Sequence, residues 1–358
     1  MTGIFKKSLT IKKIAWSLCH GSSKTFGHVR CIYKNLGDIA VAKAIEALMH
    51  PYRLLDYDSG CQVERFEKFF KKRLFDGVLL GGGTTIFSSL DTPWFKILNE
   101  LKGRKSFISF GTGVRDPDFF EDIDAGVIHS WIELLSLFDV ISVRGRRSHE
   151  ILLAHGLKNI HVIGDPVFYF SEEVIQPKLK EKKIGINISQ SHQFYGNKKD
   201  VLIEIQKFLE ILKREYWKIT LYPTNYEDFS LAVMLSKKLR YEKINIFPHY
   251  EDSSGFLEHV HGQDIFVGVK LHSVILSLCS LTPSFMLAYQ PKCNEVMQGA
   301  GLSDFLLSIK DFSASDLFGR VKNVYEDLLF NQQKVFEACQ KVKNSLIFFR
   351  QNLFLRLA

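Results

Sequence analysis

The 358-residue chain has only six cysteines (Cys19, Cys31, Cys61, Cys279, Cys293 and Cys339), and no two form a C-x-x-C pair. Neither a zinc ribbon nor a disulfide framework is signalled, and the expectation is a reducing, cytoplasmic compartment. Glycine (24) and proline (9) are sparse, which excludes collagen-like and low-complexity chains. Long apolar runs are missing as well. Lys6, Lys7, Lys12 and Lys13 precede only the short apolar stretch 14–18, too brief for the apolar region of a signal peptide. The uncharged stretch 271–291 is broken by His272, Pro283 and several serines, and it reads as helix, turn and strand rather than a membrane span. There is no strongly basic run and no aromatic-interleaved recognition motif, so no nucleic-acid partner is expected.

What remains is the composition of a folded globular protein, 46% apolar and 24% charged. Its length exceeds one ordinary core and points to two domains. An excess of 47 Lys+Arg over 39 Asp+Glu, a net +8, suits an anionic ligand or surface without choosing among phosphate, lipid and nucleic acid.

Short apolar runs alternate with stretches of helical period, the pattern of βαβ units and a parallel sheet. Strands are predicted over 14–18, 53–56, 77–80, 106–110, 140–143 and 161–163, with helices over 38–49 and 147–154. A polar run at 177–183 then separates this block from a second one. There the strands fall at 184–188, 218–221, 244–247, 265–267 and 284–287, and the helices at 201–215, 229–239, 254–261 and 272–280. The fold class is therefore α/β, with two Rossmann-like domains facing one another across a ligand cleft. Residues 1–177 form the first, expected on the acceptor side, and 178–315 the second, expected on the donor side. A helical tail at 316–358, rich in Phe and Leu, is expected to cross back to the first domain and pack there. The competing reading of the tail is a basic amphipathic surface in peripheral contact with a membrane, since Lys341, Lys343, Arg350 and Arg356 accompany its apolar residues.

Four motifs sit at predicted strand ends, where a doubly wound sheet places its ligands. Asn35-Leu36-Gly37-Asp38 opens a helix: Gly37 allows close backbone approach, Asp38 is able to cap free amides and Asn35 offers both donor and acceptor, the plain alternative being a helix cap and nothing more. Gly81-Gly82-Gly83-Thr84-Thr85 follows an apolar strand and allows a ligand to approach backbone amides, or makes a tight turn. It is neither a P-loop nor the spaced dinucleotide fingerprint. Ser142-Val143-Arg144-Gly145-Arg146-Arg147-Ser148 offers three guanidinium groups, of which Arg144, nearest the strand end, is the candidate for a planar contact with carboxylate or phosphate. Gly268-Val269-Lys270-Leu271-His272-Ser273 brings a cation, an imidazole and helix N-terminal amides to one turn, a chemically sensible place for a phosphate and a proton transfer. The plain alternative is a core histidine. Tyr289-Gln290-Pro291-Lys292 adds a second cation, which Glu295 is placed to orient. His249, His259 and His261 lack metal-ligand spacing, and no metal is expected.

Taken in order, and together with Gly164-Asp165-Pro166, these motifs resemble the polysaccharide pyruvyl transferase family over roughly residues 12–305. The resemblance implies a fold like that of the GT-B glycosyltransferases. It also implies transfer of pyruvate from phosphoenolpyruvate onto two hydroxyls of a sugar in a cell-surface glycan or its lipid-linked precursor, giving a cyclic ketal without a further cofactor. The family's Arg-Leu-His motif falls on Lys270, Leu271 and His272, so a lysine here keeps the charge but loses the two-pronged planar contact. A second departure is the long segment 19–34 ahead of the Asn-Leu-Gly-Asp motif. The implied donor site is Arg144, Lys270, Leu271, Ser273, Tyr289 and Lys292. Asn35, Gly37, Gly82, Gly83 and Thr84 fall on the acceptor side, and His272 with Asp38 or Asp165 is expected to handle protons. A nucleotide-sugar glycosyltransferase and a non-catalytic glycan-binding relative are the two competing functions.

Overall fold

Runs of four or five apolar residues, too short for helices and covered on both faces, build two parallel sheets. The computed structural model describes residues 24–30, 35–56, 75–103, 105–189, 198–249 and 251–357.

The first half contains β1 (Thr25–Val29), α1 (Leu36–Met49), β2 (Arg53–Asp56), β3 (Gly77–Gly81), β4 (Thr84–Ile86), α2 (Pro93–Leu101), β5 (Ser106–Phe110), β6 (Gly113–Val114), α3 (Ala125–Leu135), β7 (Ile141–Val143), α4 (Arg146–Ala154) and β8 (Ile160–Val162). Strands pair in the order β2-β1-β3-β5. Single bridges from Ile108 to Val140 and from Thr112 to Val143 carry the sheet onto the β7–β8 pair. The strand expected at 14–18 lies outside the described residues. The first described strand, β1, instead falls inside the long 19–34 segment, where no strand was expected. Its run Thr-Phe-Gly-His-Val hides a strand because Gly27 and His28 are not apolar β formers. Gly27 is there because the Phe75 ring occupies the space of a side chain, 2.9 Å from where a Cβ would stand.

The second half contains β9 (Lys183–Asn187), α5 (Lys198–Arg214), β10 (Lys218–Leu221), α6 (Tyr226–Leu239), β11 (Ile244–Ile246), α7 (Ser253–His261), β12 (Ile265–Gly268), α8 (Leu271–Cys279), β13 (Ser284–Ala288), α9 (Pro291–Ala300) and β14 (Leu306–Ser308). The order β11-β10-β9-β12-β13-β14 is the doubly wound pattern in which the chain reverses direction across the sheet between β9 and β12. A crevice opens at that point, beyond the carboxyl ends of the two strands.

Two helices close the chain, α10 (Ala314–Glu326) and α11 (Leu328–Leu357). Early in α11, Gln332 Nε2 donates to Leu281 O (3.4 Å) and Cys339 Sγ to Leu278 O (3.5 Å), both in the second half. Midway, Gln340 and Lys343 donate to the carbonyls of Glu172 and Ser171 (2.7 and 2.8 Å). Near its end Arg350 Nε donates to Leu48 O (2.6 Å), Phe349 meets Phe110 edge-on (5.4 Å between centroids) and Phe354 meets Tyr52 (4.5 Å). Phe348 and Leu355 stay exposed. Among the described residues no helix is long and apolar enough to cross a membrane.

The polar run at 177–183 is held in place rather than loose, because Lys178 Nζ donates to Gln263 O (2.6 Å) and Thr282 Oγ1 (2.5 Å).

Candidate active site

The second-domain wall begins at the reversal point. Asn187, the last residue of β9, donates from Nδ2 to Tyr222 O (2.8 Å) and accepts from Lys270 N at Oδ1 (2.8 Å), so one amide ties three strand ends together. Lys270 then becomes the N-cap of α8. Ser273 Oγ donates to Lys270 O (2.7 Å) and is buried, so its hydroxyl belongs to the turn. Leu271 packs in the core. Lys270 and His272 are left as the side chains this motif offers chemically.

His272 stands between two carboxyl groups. Behind it, Asp165 Oδ2 lies 3.5 Å from Nε2. Asp165 is buried, and burial opposes its charge, but the His272 imidazole and the Arg144 guanidinium hold its carboxyl below the ordinary value. Val167 N donates to its other oxygen (3.1 Å). In front, Asp38 opens α1. Its helix cap is Asn35, whose Oδ1 accepts from Asp38 N (3.0 Å) while Nδ2 donates to Asp38 Oδ2 (2.8 Å). Of the two residues able to cap this helix it is Asn35 that does so, which leaves the Asp38 carboxyl for the cleft. Burial raises the Asp38 carboxyl's pKa, against the pull of His272 and Asn35. Gly37 is required by close approach: a Cβ there would stand 2.4 Å from His272 Nδ1.

Arg144 forms the floor. Its side chain is 1% exposed; Nε donates to Glu295 Oε2 (3.2 Å) and Nη2 to Thr84 Oγ1 (2.8 Å). Glu295 comes from α9 of the second domain, and its other oxygen accepts from Ser148 N at the start of α4 (2.7 Å). The sequence reading paired Glu295 with Lys292, but the carboxylate turns instead to the buried arginine, where a charge left alone would be costly. Gly145 makes room, since a Cβ there would meet the Glu295 side chain at 2.1 Å. Of the other two arginines, Arg146 is exposed beside Glu150, and Arg147 makes a two-pronged contact with Asp116 (2.7 and 2.7 Å). Lys292 lies over the Tyr289 ring (5.2 Å), whose hydroxyl burial makes harder to ionise.

Lys270, His272, Asp38, Arg144, Tyr289 and Lys292 meet at one cavity of about 480 Å³. Of the residues expected from sequence, Asn35, Gly37, Asp38, Gly83, Thr84, Arg144, Lys270, Leu271, His272, Ser273, Tyr289 and Lys292 line it. Gly82 does not: its α-carbon abuts Val41, and a side chain would clash at 1.9 Å, so this glycine packs the turn against α1. Asp165 is the other absentee, one step behind His272. Sequence reasoning missed Thr224, Asn225, Trp94, Arg115 and Phe120, which also face the cavity. Asn225 carried a signal in hindsight, as the cap of α6 whose Oδ1 accepts from Asp228 N (2.8 Å). No group of three or more His, Cys, Asp or Glu able to hold a metal occurs among the described residues.

The sequence pattern of the polysaccharide pyruvyl transferase family matches residues 33–291. The chain belongs to that family. It is thus a transferase, with two Rossmann-like domains in a GT-B arrangement. Among solved structures, the putative UDP-N-acetylglucosamine 2-epimerase of Listeria monocytogenes is 13% identical with a TM-score of 0.58, over 94% of this chain and 95% of its own. MnaA of S. aureus, determined with UDP, is 12% identical with a TM-score of 0.57, over 92% of this chain and 97% of its own. The chain spans 56% of the length of TarM, at 15% identity and a TM-score of 0.49 over 81% of itself. At such identities the likeness is one of fold. No curated protein matches the chain by sequence.

Proposed function

We propose that this pyruvyl transferase family member moves the pyruvyl group of phosphoenolpyruvate onto two hydroxyls of a glycan sugar, forming a cyclic ketal. The observation that carries the reading is the meeting of Arg144, Lys270, Lys292 and His272 on one cavity, with α8 opening beneath Lys270. Phosphoenolpyruvate bears a phosphate and a carboxylate on adjacent atoms. A site that holds it apart from water needs several cations and helix amides aimed at one small volume.

The reaction asks for a proton on the methylene carbon, which becomes the methyl group and leaves a cationic centre on the neighbouring carbon. One sugar hydroxyl bonds to that centre and loses its proton. The carbon–oxygen bond to phosphate then breaks, inorganic phosphate leaves with the electron pair, and the second hydroxyl closes the ring while giving up its own proton. One hydroxyl proton balances the methyl group and the other the departing phosphate. Asp38, whose carboxyl binds a proton more tightly than usual, faces the cleft as general acid and base. His272 holds the donor phosphate, and Asp165 behind it keeps the imidazole oriented. Lys270 and Lys292 hold the donor's negative charges, with Arg144 beneath.

Incubating the purified protein with phosphoenolpyruvate and glycan acceptors tests this, with phosphate release and the new ketal methyl signal in a proton NMR spectrum as readouts. Phosphate release that depends on acceptor is expected. A rise in melting temperature with UDP-sugars and none with phosphoenolpyruvate would favour a glycosyltransferase instead.

A further inference from the structure

The two sides of the cavity differ in electrical character. The second-domain side presents Lys270, Lys292 and His272, with no carboxylate among the described residues that line it. On the first-domain side each arginine already faces a carboxylate. Arg144 has Glu295, and Arg115 Nη2 donates to both oxygens of Asp122 (2.8 and 3.0 Å). Beyond Thr84 that side turns aromatic and hydroxylic. Trp94, in the first turn of α2, is half-buried on the cavity surface. Its ring is fixed by an Nε1–H donated to Ser88 Oγ (2.7 Å), while the next residue, Phe95, anchors the turn against buried Trp131 (5.1 Å). Phe120 is fixed by the Arg115 guanidinium, 4.4 Å from its ring centre. Ser89 and Thr92 also line the cavity, where Thr92 Oγ1 donates to Ser89 O (2.8 Å) and Ser89 Oγ accepts from Asp91 N (3.3 Å).

Resting on the pyruvyl-transfer reading, we propose that Trp94 and Phe120 form a stacking platform for an uncharged pyranose, the acceptor sugar. A pyranose has a C–H face that packs on an aromatic ring and an equatorial rim of hydroxyls that suits Ser89 and Thr92. A wall whose cations are already matched gains nothing from a second anion, so the subsite selects a neutral hexopyranoside over the corresponding uronic acid. The donor's charge is met on the opposite wall.

The test uses the full chain with methyl glycosides of galactose, glucose, mannose and glucuronic acid. Of the four tryptophans, Trp131 and Trp217 are buried and Trp16 lies outside the described residues, so it is the loss in Trp94→Phe of a fluorescence change on adding a neutral glycoside that reports the platform. In steady-state assays with the best of these acceptors, Trp94→Ala raises acceptor KM about tenfold or more, while phosphoenolpyruvate KM and the melting shift it induces are unchanged. Should Trp94→Ala fail to fold, Phe120→Leu raises acceptor KM in the same sense. An unchanged acceptor KM in the folded variants, a preference for the glucuronide, or no fluorescence response to any neutral glycoside overturns the platform. Failure of the underlying reading looks different: wild-type protein then shows no melting shift with phosphoenolpyruvate and releases no phosphate, even if the Trp94-dependent sugar signal persists.

Discussion

Arg144 and Lys270 are cations on the same cavity, yet they are built in opposite ways. Arg144 is almost wholly buried, clasped by Glu295 and Thr84. Lys270 is half-buried, anchored through its backbone nitrogen to Asn187, with a flexible stem carrying its charge. A buried charge holds one geometry because leaving it unpaired costs far more than rearranging a surface pair. A lysine at a helix start is a point charge that follows its ligand. The contrast divides the labour of the cleft: one cation fixes the frame and the relation of the two domains, and on the pyruvyl-transfer reading proposed above the other responds to the donor.

The largest effect that tests this division is expected for Glu295→Ala. It strands the Arg144 charge and should cost about 3–5 kcal/mol of stability, read as a fall in melting temperature of roughly 10 °C. A small change would place Arg144 among the responsive cations instead. His272→Ala is expected to lower turnover about 10²–10³-fold with the melting temperature nearly unchanged, and normal turnover would remove His272 from the donor-phosphate site.

Lys270→Arg sharpens the comparison from the other side. Restoring the planar fork should lower the phosphoenolpyruvate KM by about threefold to tenfold, whereas an unchanged or higher KM would mean that this site has adapted to a point charge.

The smallest effect concerns pH. Because burial raises the Asp38 carboxyl's folded pKa, its contribution is present while it is protonated and is lost as pH rises through that value. Asp38→Asn should therefore melt about 1–2 °C above wild type at pH 7, with the two curves converging toward pH 4. Asp165 has the opposite sign. Its depressed carboxyl contributes above the ordinary value and loses that contribution as pH falls through the folded one. A Tm profile in which Asp165→Asn gained stability at pH 7 would contradict that sign.

Much of this was legible in the chain, and the failures share a cause. The strands at Ser106–Phe110 and Lys218–Leu221 fall where the apolar runs put them, since a fully covered parallel strand has a local signature. Thr25–Val29 escaped because its glycine and histidine answer to Phe75 and to neighbours distant in sequence. The same holds in the site. Lys270 and His272 stand out at a strand-to-helix turn, but the partner of Arg144 lies 151 residues away, and only the packing of the two domains shows that Glu295 reaches it. Trp94 and Phe120 belong to no local motif, and only the fold brings both to the cavity.

The chain passes between its two halves twice, once at 171–182 and once within α11, and the two passages are stitched side by side by Lys343 and Gln340. Two adjacent crossings act as the spine of a book. The buried Arg144–Glu295 pair clasps the covers a second time, so the two halves are joined at more than the spine.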